Sequence, residues 1–163
     1  MRPKFCTISG FQITGEDIRT ENQIKLMLGK EIVDLYRQGY KDFVCNCEMG
    51  VPIWAAEMLI ELKTVLSVRL NIAVPFENQA KGFKELWRDV YYKVHEKADA
   101  VIFVSKQYKD GCYEECDRFM VDNSDMLLWV GQGESYITEY AEQQQKLIKK
   151  VGCPDTVSTA IRL

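Results

Sequence analysis

Residues 41–57 read KDFVCNCEMGVPIWAAE, and this stretch decides the fold. The apolar run at 43–45 predicts a buried strand. A turn follows as far as Gly50, and Pro52 fits the first turn of a helix, where its missing N–H costs nothing. A strand that enters a helix across a glycine leaves backbone N–H groups free at the carboxyl edge of the sheet. We therefore expect this turn to hold an anionic or polar ligand.

The rest of the chain alternates strands and helices in the same way. Short apolar runs predict further strands at 4–9, 69–74, 100–104, 126–130 and 156–163. Amphipathic stretches predict helices at 21–38, 51–66, 83–97, 111–122 and 135–151. Alternation of this kind builds βαβ units. We therefore expect an α/β three-layer sandwich with a mainly parallel sheet of about five or six strands.

Length and composition limit the class of protein. With 163 residues and 47% hydrophobic content, the chain suits one domain spanning residues 1–163. Its 21 basic residues stand against 24 acidic ones, and the longest basic run is Lys149-Lys150, which disfavours a nucleic-acid groove. No apolar run has the length of a membrane span, and the first residues lack the pattern of a signal peptide. These features predict a cytoplasmic protein without membrane contact.

The six cysteines fit free thiols better than disulfides, because they are scattered through predicted strands and helices. Cys45 and Cys47, and likewise Cys112 and Cys116, could share a face as zinc ligands. However, the usual CxxC knuckle is absent and His95 is the only histidine. We expect core thiols, no metal and no cofactor, with His95 facing solvent on its helix.

A parallel sheet binds ligands outside the carboxyl ends of its strands, so the loops after the strands form the candidate site. These loops are rich in glycine, amide and hydroxyl groups and poor in arginine and lysine, which favours an uncharged or cationic group over a polyphosphate. Phosphate fingerprints are missing, since GxxxxGK[ST] is absent and Gly131-x-Gly133 lacks a third glycine. The candidate ligand-binding residues are Ser9, Gly10, Phe11, Gln12, Glu48, Met49, Gly50, Trp54, Pro75, Phe76, Gln79, Tyr108, Arg118, Gly131, Gly133, Glu134 and Ser135.

Several segments in order resemble the YpsA-like bacterial family. They are Ile8-Ser9-Gly10, Met49-Gly50-Val51 with Trp54-Ala55-Ala56-Glu57, Pro75-Phe76 with Gln79 and Trp87, Tyr108, and RFMVDNSD at 118–125. This family belongs to the SLOG superfamily, which includes the Rossmann domain of DNA-processing protein A and the lonely-guy phosphoribohydrolases. The resemblance extends from about residue 5 to residue 141. It implies a Rossmann-like fold with a nucleotide or nucleotide-derived ligand in the loops after the strands.

The chain departs from the family pattern where ligand chemistry is expected. Gly10-Phe11-Gln12 replaces the family's Gly-His-Arg, and Cys116-Asp117 replaces an Arg-Asn pair. The last loop reads Gly133-Glu134-Ser135 where the family often has Gly-Gly-Thr. Losing basic groups while gaining Glu134 disfavours tight phosphate binding.

Several singled-out residues also have structural interpretations. Trp54 and Trp87 are typical packing aromatics, and Glu57 is most simply a polar-face residue of its helix. Asp122 and Asp125 suit capping and turn formation before the fifth strand, at the end opposite the pocket. Arg118 could pair either with an acidic ligand group or with one of these two carboxylates.

Three functions follow from the resemblance and its departures. The favoured one is binding or sensing of a nucleotide-derived small molecule without catalysis. The second is hydrolysis of an N-glycosidic bond. In the superfamily's hydrolases a glutamate near the last glycine loop supports that cleavage, and Glu134 and Glu139 are the nearby candidates. The third is a protein-interaction adaptor with a vestigial pocket. Apolar residues on the outer helices are also compatible with a homodimer.

Overall fold

The computed structural model describes residues 2–13, 18–152 and 161–162. The helices are α1 (Ile18–Arg37), α2 (Val51–Leu62), α3 (Glu85–Lys97), α4 (Cys112–Asp122) and α5 (Tyr136–Gln143), with a short 3-10 turn at Gln79–Gly82. The strands are β1 (Lys4–Gly10), β2 (Gln12–Ile13), β3 (Tyr40–Cys45), β4 (Arg69–Val74), β5 (Ala100–Phe103), β6 (Met126–Val130), β7 (Leu147–Val151) and β8 (Ile161–Arg162).

Within the described residues, six strands form one parallel sheet in the order β5-β4-β3-β1-β6-β7. Buried side chains of α1, α2 and α3 pack on one face of this sheet, and those of α4 and α5 pack on the other. The expected α/β three-layer sandwich is confirmed. The short strands β2 and β8 pair with each other in antiparallel fashion outside the main sheet.

The strand order places a switch point in the middle of the sheet. From β1 the chain moves through β3 and β4 to the edge strand β5, and then returns to form β6 on the other side of β1. The loops after β1 and β6 therefore lead to helices on opposite faces. This divergence opens a crevice at the carboxyl ends of β1 and β6, where sheets of this type bind their ligands.

The stripe predicted for α1 is confirmed, since Ile24, Leu28, Ile32 and Leu35 are all fully buried. α2 is buried more completely, because its first six residues, VPIWAA, carry no charge and fill the space over β1, β3 and β4. Glu57 on its outer side forms an ion pair with Lys25 at 3.0 Å, as expected for a polar-face residue.

The single helix predicted over 135–151 is wrong. α5 ends at Gln143, Gln145 adopts a positive φ of 57°, and Leu147–Val151 forms β7, which pairs with β6. A left-handed residue cannot continue a helix, and the following segment gains a full ladder of backbone hydrogen bonds at the sheet edge. α2 likewise ends at Leu62, before Leu66. The predicted closing strand at 156–163 lies largely outside the described residues.

His95 is half-buried and does not face solvent as expected. Its ring lies on the ring of Tyr91, with centroids 3.9 Å apart, and its Nδ1 is 2.8 Å from the Tyr91 carbonyl oxygen. The cysteines of the described residues are buried free thiols. Among these residues, no helix combines the length and the apolar character needed to cross a membrane.

Candidate ligand-binding groove

A cavity of about 460 Å³ lies at the carboxyl ends of β1 and β6, and we call it the central crevice. The loops after β1, β3 and β6 line it together with the first turns of α2, α4 and α5, so four chain segments distant in sequence converge there. Its lining residues are Ser9, Gly10, Gln12, Asn46, Glu48, Pro52, Tyr113, Glu114, Asp117, Trp129, Ser135, Tyr136 and Ile137.

A second cavity of about 560 Å³, the lateral pocket, lies beside the crevice at the carboxyl ends of β4 and β5. Glu48 and Tyr113 line both cavities, so the two form one composite groove along the sheet edge. The lateral pocket is lined by Glu48, Met49, Phe76, Asn78, Gln79, Lys81, Gly82, Phe83, Lys106, Gln107, Tyr108 and Tyr113.

Glu48 sits where the two cavities meet and is only 6% exposed. The Asn46 side chain sets the turn by accepting a hydrogen bond from the Glu48 backbone N–H at 3.0 Å, an Asx turn. Gln79 Nε2 donates to Glu48 Oε2 at 3.3 Å, and the Tyr113 hydroxyl donates to the same carboxylate. Burial raises the pKa of Glu48 despite these donors. The groove therefore holds a fixed, desolvated carboxyl group at its centre.

The rest of the central crevice is acidic as well. Glu114 and Asp117 lie on α4, and the described lining residues include no lysine or arginine. Burial and the nearby Glu114 raise the pKa of Asp117 from its ordinary 3.8 to about 7. Arg118, the adjacent cation, donates a 2.6 Å hydrogen bond to the hydroxyl of Tyr136. The crevice is suited to ligand groups that donate hydrogen bonds or carry positive charge.

The backbone N–H groups expected to be free at the Gly50 turn are used within the protein. Val51 N donates to Phe11 O at 3.3 Å, Ile53 N donates to Glu48 O at 3.1 Å, and Pro52 has no N–H. The expectation of free backbone N–H groups is wrong at these positions, because the strand-to-helix turn is closed by its own backbone contacts. That the turn holds an anionic or polar ligand stays a prediction.

The first turn of α5 is closed in a different way. Ser135 Oγ accepts a hydrogen bond from Thr138 N at 3.3 Å, while Thr138 Oγ1 accepts one from Ser135 N at 2.8 Å. This reciprocal capping box satisfies two of the donors that a helix N-terminus would otherwise offer to a ligand.

The profile of the YpsA family, described as the YspA SLOG family, matches residues 9–152. The chain belongs to this SLOG family. Relatives of similar sequence include UPF0398 proteins from several bacteria. That of Brevibacillus brevis is 31% identical over 69% of this chain, and that of Halalkalibacterium halodurans is 28% identical over 88% of it. The chain spans 61% of the length of the first relative and 82% of the second.

Solved structures with the same fold include DNA processing protein A from Helicobacter pylori, described for its single-stranded DNA binding mode. It matches with a TM-score of 0.58 and 16% identity, over 91% of this chain and 65% of that one. The Moco carrier protein of Chlamydomonas rheinhardtii matches with a TM-score of 0.53 and 15% identity, over 98% of this chain and 82% of that one. At these identities the likeness shows that the SLOG chain shares their Rossmann-like fold.

The SLOG fold brings many of the candidate ligand-binding residues to the groove. The central crevice contains Ser9, Gly10, Gln12, Glu48 and Ser135. The lateral pocket contains Glu48, Met49, Phe76, Gln79 and Tyr108. The loops after strands that are far apart in sequence therefore meet along one edge, as their parallel arrangement requires.

Other candidates lie behind or beside the groove and line neither cavity in the described chain. Phe11, Pro75 and Trp54 are buried, and the Trp54 ring packs on Trp87 with centroids 5.6 Å apart. Gly50 precedes α2 with φ 108°, and Gly133 has φ 73° in the exposed last loop. Gly131 faces the ring of Trp129, and Arg118 pairs with Tyr136.

The two candidate catalytic glutamates lie on the outer side of the last loop and α5. Glu134 is exposed, forms an ion pair with Lys150 and accepts a 3.0 Å hydrogen bond from Thr138 Oγ1. These contacts lower the pKa of Glu134, so it stays ionised near neutral pH. Glu139 is exposed on α5. Neither residue is among those that line the crevice.

Sequence reasoning missed the contribution of α4 to the site. Tyr113, Glu114 and Asp117 fall on one side of this helix, since positions i, i+1 and i+4 share a face. The sequence feature that could have pointed to α4 is the departure at Asp117, which places a carboxylate in a segment where the family has basic and amide side chains. Lys81 and Lys106 were also missed, although each lies within two residues of a candidate.

Proposed function

We propose that this SLOG protein binds a nucleotide-derived small molecule in the composite groove and acts as a binding or sensing domain without catalysis. The observation that supports this most directly is the convergence of polar groups from four chain segments on the central crevice. Two solved neighbours, one described for its single-stranded DNA binding mode and one a molybdenum cofactor carrier protein, support a nucleotide-like ligand on this fold.

The chemistry of the crevice suits the sugar and base of such a ligand. Ribose hydroxyls and base amino groups donate hydrogen bonds, and the carboxyl groups of Glu48, Glu114 and Asp117 accept them. Ser9 and Gln12 add smaller polar contacts, and the Tyr113 ring provides an aromatic surface. A volume of about 460 Å³ lies within the range of about 300–1,000 Å³ that is usual for small-molecule sites.

The arrangement of the glutamates supports binding over hydrolysis. An N-glycosidase needs an acid or base beside the scissile bond, whereas Glu134 is held by Lys150 and Glu139 is exposed on α5. The observation that favours the hydrolase alternative is Asp117, because a carboxyl group with a pKa of about 7 in a crevice can donate a proton near neutral pH. Release of free base that is lost in Asp117→Asn would identify this second function.

A thermal-shift panel of nucleosides, nucleoside monophosphates and NAD tests the proposal. At about 100 times its dissociation constant, a true ligand adds about 2.7 kcal/mol, which raises Tm by roughly 5–10 °C in a chain of this size. Gln12→Ala removes an exposed crevice amide and should weaken binding about tenfold, the usual value of one hydrogen bond. Gln38→Ala, an exposed glutamine after α1, is the matched control.

Chromatography of the same mixtures separates the alternatives. Ligand recovered intact supports binding without catalysis, and steady release of base supports the hydrolase. The absence of any Tm shift across the panel contradicts both the binding function and the hydrolase function. It then favours the third interpretation, a protein-interaction adaptor.

A further inference from the structure

Resting on that function, we propose that the anionic group of the ligand binds in the lateral pocket against the ammonium groups of Lys81 and Lys106, and not at a helix N-terminus. The nucleoside part then occupies the central crevice, and the ligand crosses the wall formed by Glu48 and Tyr113. The lateral pocket is then a phosphate-type subsite with two cations, and its position fixes the direction in which the ligand lies.

Existing hydrogen bonds or like charges stand at the first turn of each of the three helices that face the crevice. α2 begins with backbone donors engaged by Phe11 and Glu48 and with Pro52. α5 begins with the reciprocal capping box of Ser135 and Thr138. α4 carries Glu114 and Glu115 in its first turn, so its positive end faces carboxylates of the same helix. A phosphate would have to displace existing hydrogen bonds or approach like charges at each of these positions.

The crevice itself repels anions. Glu48, Glu114 and Asp117 line it, and the described lining residues include no cation that could offset them. The raised pKa values of Glu48 and Asp117 record the cost of negative charge at this place. Adding a phosphate would increase that cost, which directs the anionic end of the ligand out of the crevice.

The lateral pocket supplies the missing positive charge. Lys81 and Lys106 line it, both are exposed, and neither has an ion-pair partner in the described part of the chain. In the described residues, the lysines that form ion pairs with carboxylates all lie elsewhere: Lys25, Lys63, Lys109, Lys149 and Lys150. Two unpaired ammonium groups at one concave site form the arrangement that recognises a phosphate or carboxylate.

Backbone contacts hold the two lysines around the same pocket. Glu77 N donates to Lys106 O at 3.3 Å, which ties the loop after β4 to the loop after β5. Lys81 lies in the 3-10 turn that follows, where its N–H donates to Asn78 O at 3.0 Å. Glu48, the carboxyl group that faces this pocket, is engaged by Gln79 and Tyr113 at the inner wall. The anion therefore belongs at the outer side of the pocket, beside the lysines.

The decisive experiment compares each nucleoside that binds with its own 5′-monophosphate, by calorimetry at low ionic strength. Charge-assisted contacts to two lysines should make the monophosphate bind tighter by at least tenfold. In Lys81→Met/Lys106→Met, which keeps the apolar stems, this advantage should fall below about twofold while nucleoside affinity is unchanged. Lys30→Met, on the exposed side of α1, should retain the full advantage.

Titration with inorganic phosphate separates this inference from the proposed function. We expect amide NMR shifts at Gly82 and Gln107 in the wild type and in Lys30→Met, and their loss in the double variant. Equal affinity of nucleoside and monophosphate, or an advantage that survives the double substitution, overturns the inference while binding stands. Phosphate-dependent shifts centred on Ser135 and Thr138 overturn it too. Phosphate shifts at Gly82 without any nucleoside binding support the subsite and refute the proposed function.

Discussion

The contact between β1 and β6 beneath the crevice can be tested by changing Gly10 to alanine. A Cβ atom at position 10 would lie 2.4 Å from the Val130 carbonyl oxygen and 2.8 Å from both Cβ and Cγ1 of Val51. Non-bonded carbon atoms normally lie about 3.5–4.0 Å apart. The Val130 carbonyl also accepts a 3.1 Å hydrogen bond from Phe11 N, so moving it away removes that bond.

The expected loss of stability has two causes, the steric overlap of the new Cβ atom and the lost backbone hydrogen bond. Overpacking of a rigid site costs about 1–3 kcal/mol, and loss of one backbone hydrogen bond costs about 1 kcal/mol. We therefore expect Gly10→Ala to lower the free energy of unfolding by about 3 kcal/mol, which is roughly 6–12 °C in Tm for a chain of this length.

Thermal unfolding followed by circular dichroism measures this loss, with Gly82→Ala as the matched control. A Cβ atom at Gly82 would meet nothing within 4 Å, so that variant should stay within about 0.5 kcal/mol of the wild type. If Gly10→Ala unfolds at the same temperature as Gly82→Ala, the close approach of β1, β6 and α2 at the crevice floor is incorrect.

Three further outcomes are expected. Because the folded chain holds the proton on Asp117 up to a pKa of about 7, against 3.8 when unfolded, its stabilising contribution is present below pH 4 and is lost as pH rises through 7. In urea titrations, the free energy of unfolding of Asp117→Asn should rise by about 2 kcal/mol relative to that of the wild type between pH 4 and pH 8. This is less than the full pKa shift would give, because Asp117 is only half-buried. Parallel pH profiles of the two proteins would contradict this. Thr138→Ala, which breaks the capping box, should lower the free energy of unfolding by about 1–2 kcal/mol in urea melts, whereas the exposed Thr64→Ala should change it little. Burial raises the pKa of Cys6 to about 12 and that of Cys47 well above its usual range, so mass spectrometry should find both thiols alkylated only after unfolding; rapid native labelling would contradict their burial.

The sheet could be predicted from sequence because each central strand is a short apolar run bounded by polar or turn residues. The strands at Arg69–Val74 and Met126–Val130 were predicted to the residue. β7 was not predicted, since it is a half-exposed edge strand whose apolar positions also fit the end of a helix. Its pairing with β6 is a tertiary interaction, and the local pattern of 147–151 does not contain it.

The site was predictable only in outline, for a related reason. Loops at the carboxyl ends of parallel strands must lie on one edge, so sequence reasoning reached Ser9, Glu48 and Phe76. The contribution of Asp117 depends on α4 turning its first residues over that edge, which follows from packing on the far face of the sheet. The unpaired state of Lys106 likewise depends on which carboxylates the fold leaves within its reach.

Two local features lead us to expect that this chain binds anions differently from what its fold suggests. In a parallel α/β sheet, the helix N-termini are the ready-made anion donors at the ligand edge. Here Pro52 removes one donor from α2 outright, and the pairing of Ser135 with Thr138 consumes two from α5. Glu48 and Asp117 then make the crevice between these helices acidic. The fold still places the ligand groove at this sheet edge, but these side chains reverse the charge there. We therefore expect a ligand to present hydrogen-bond donors to the centre of the sheet edge and any negative charge to its flank.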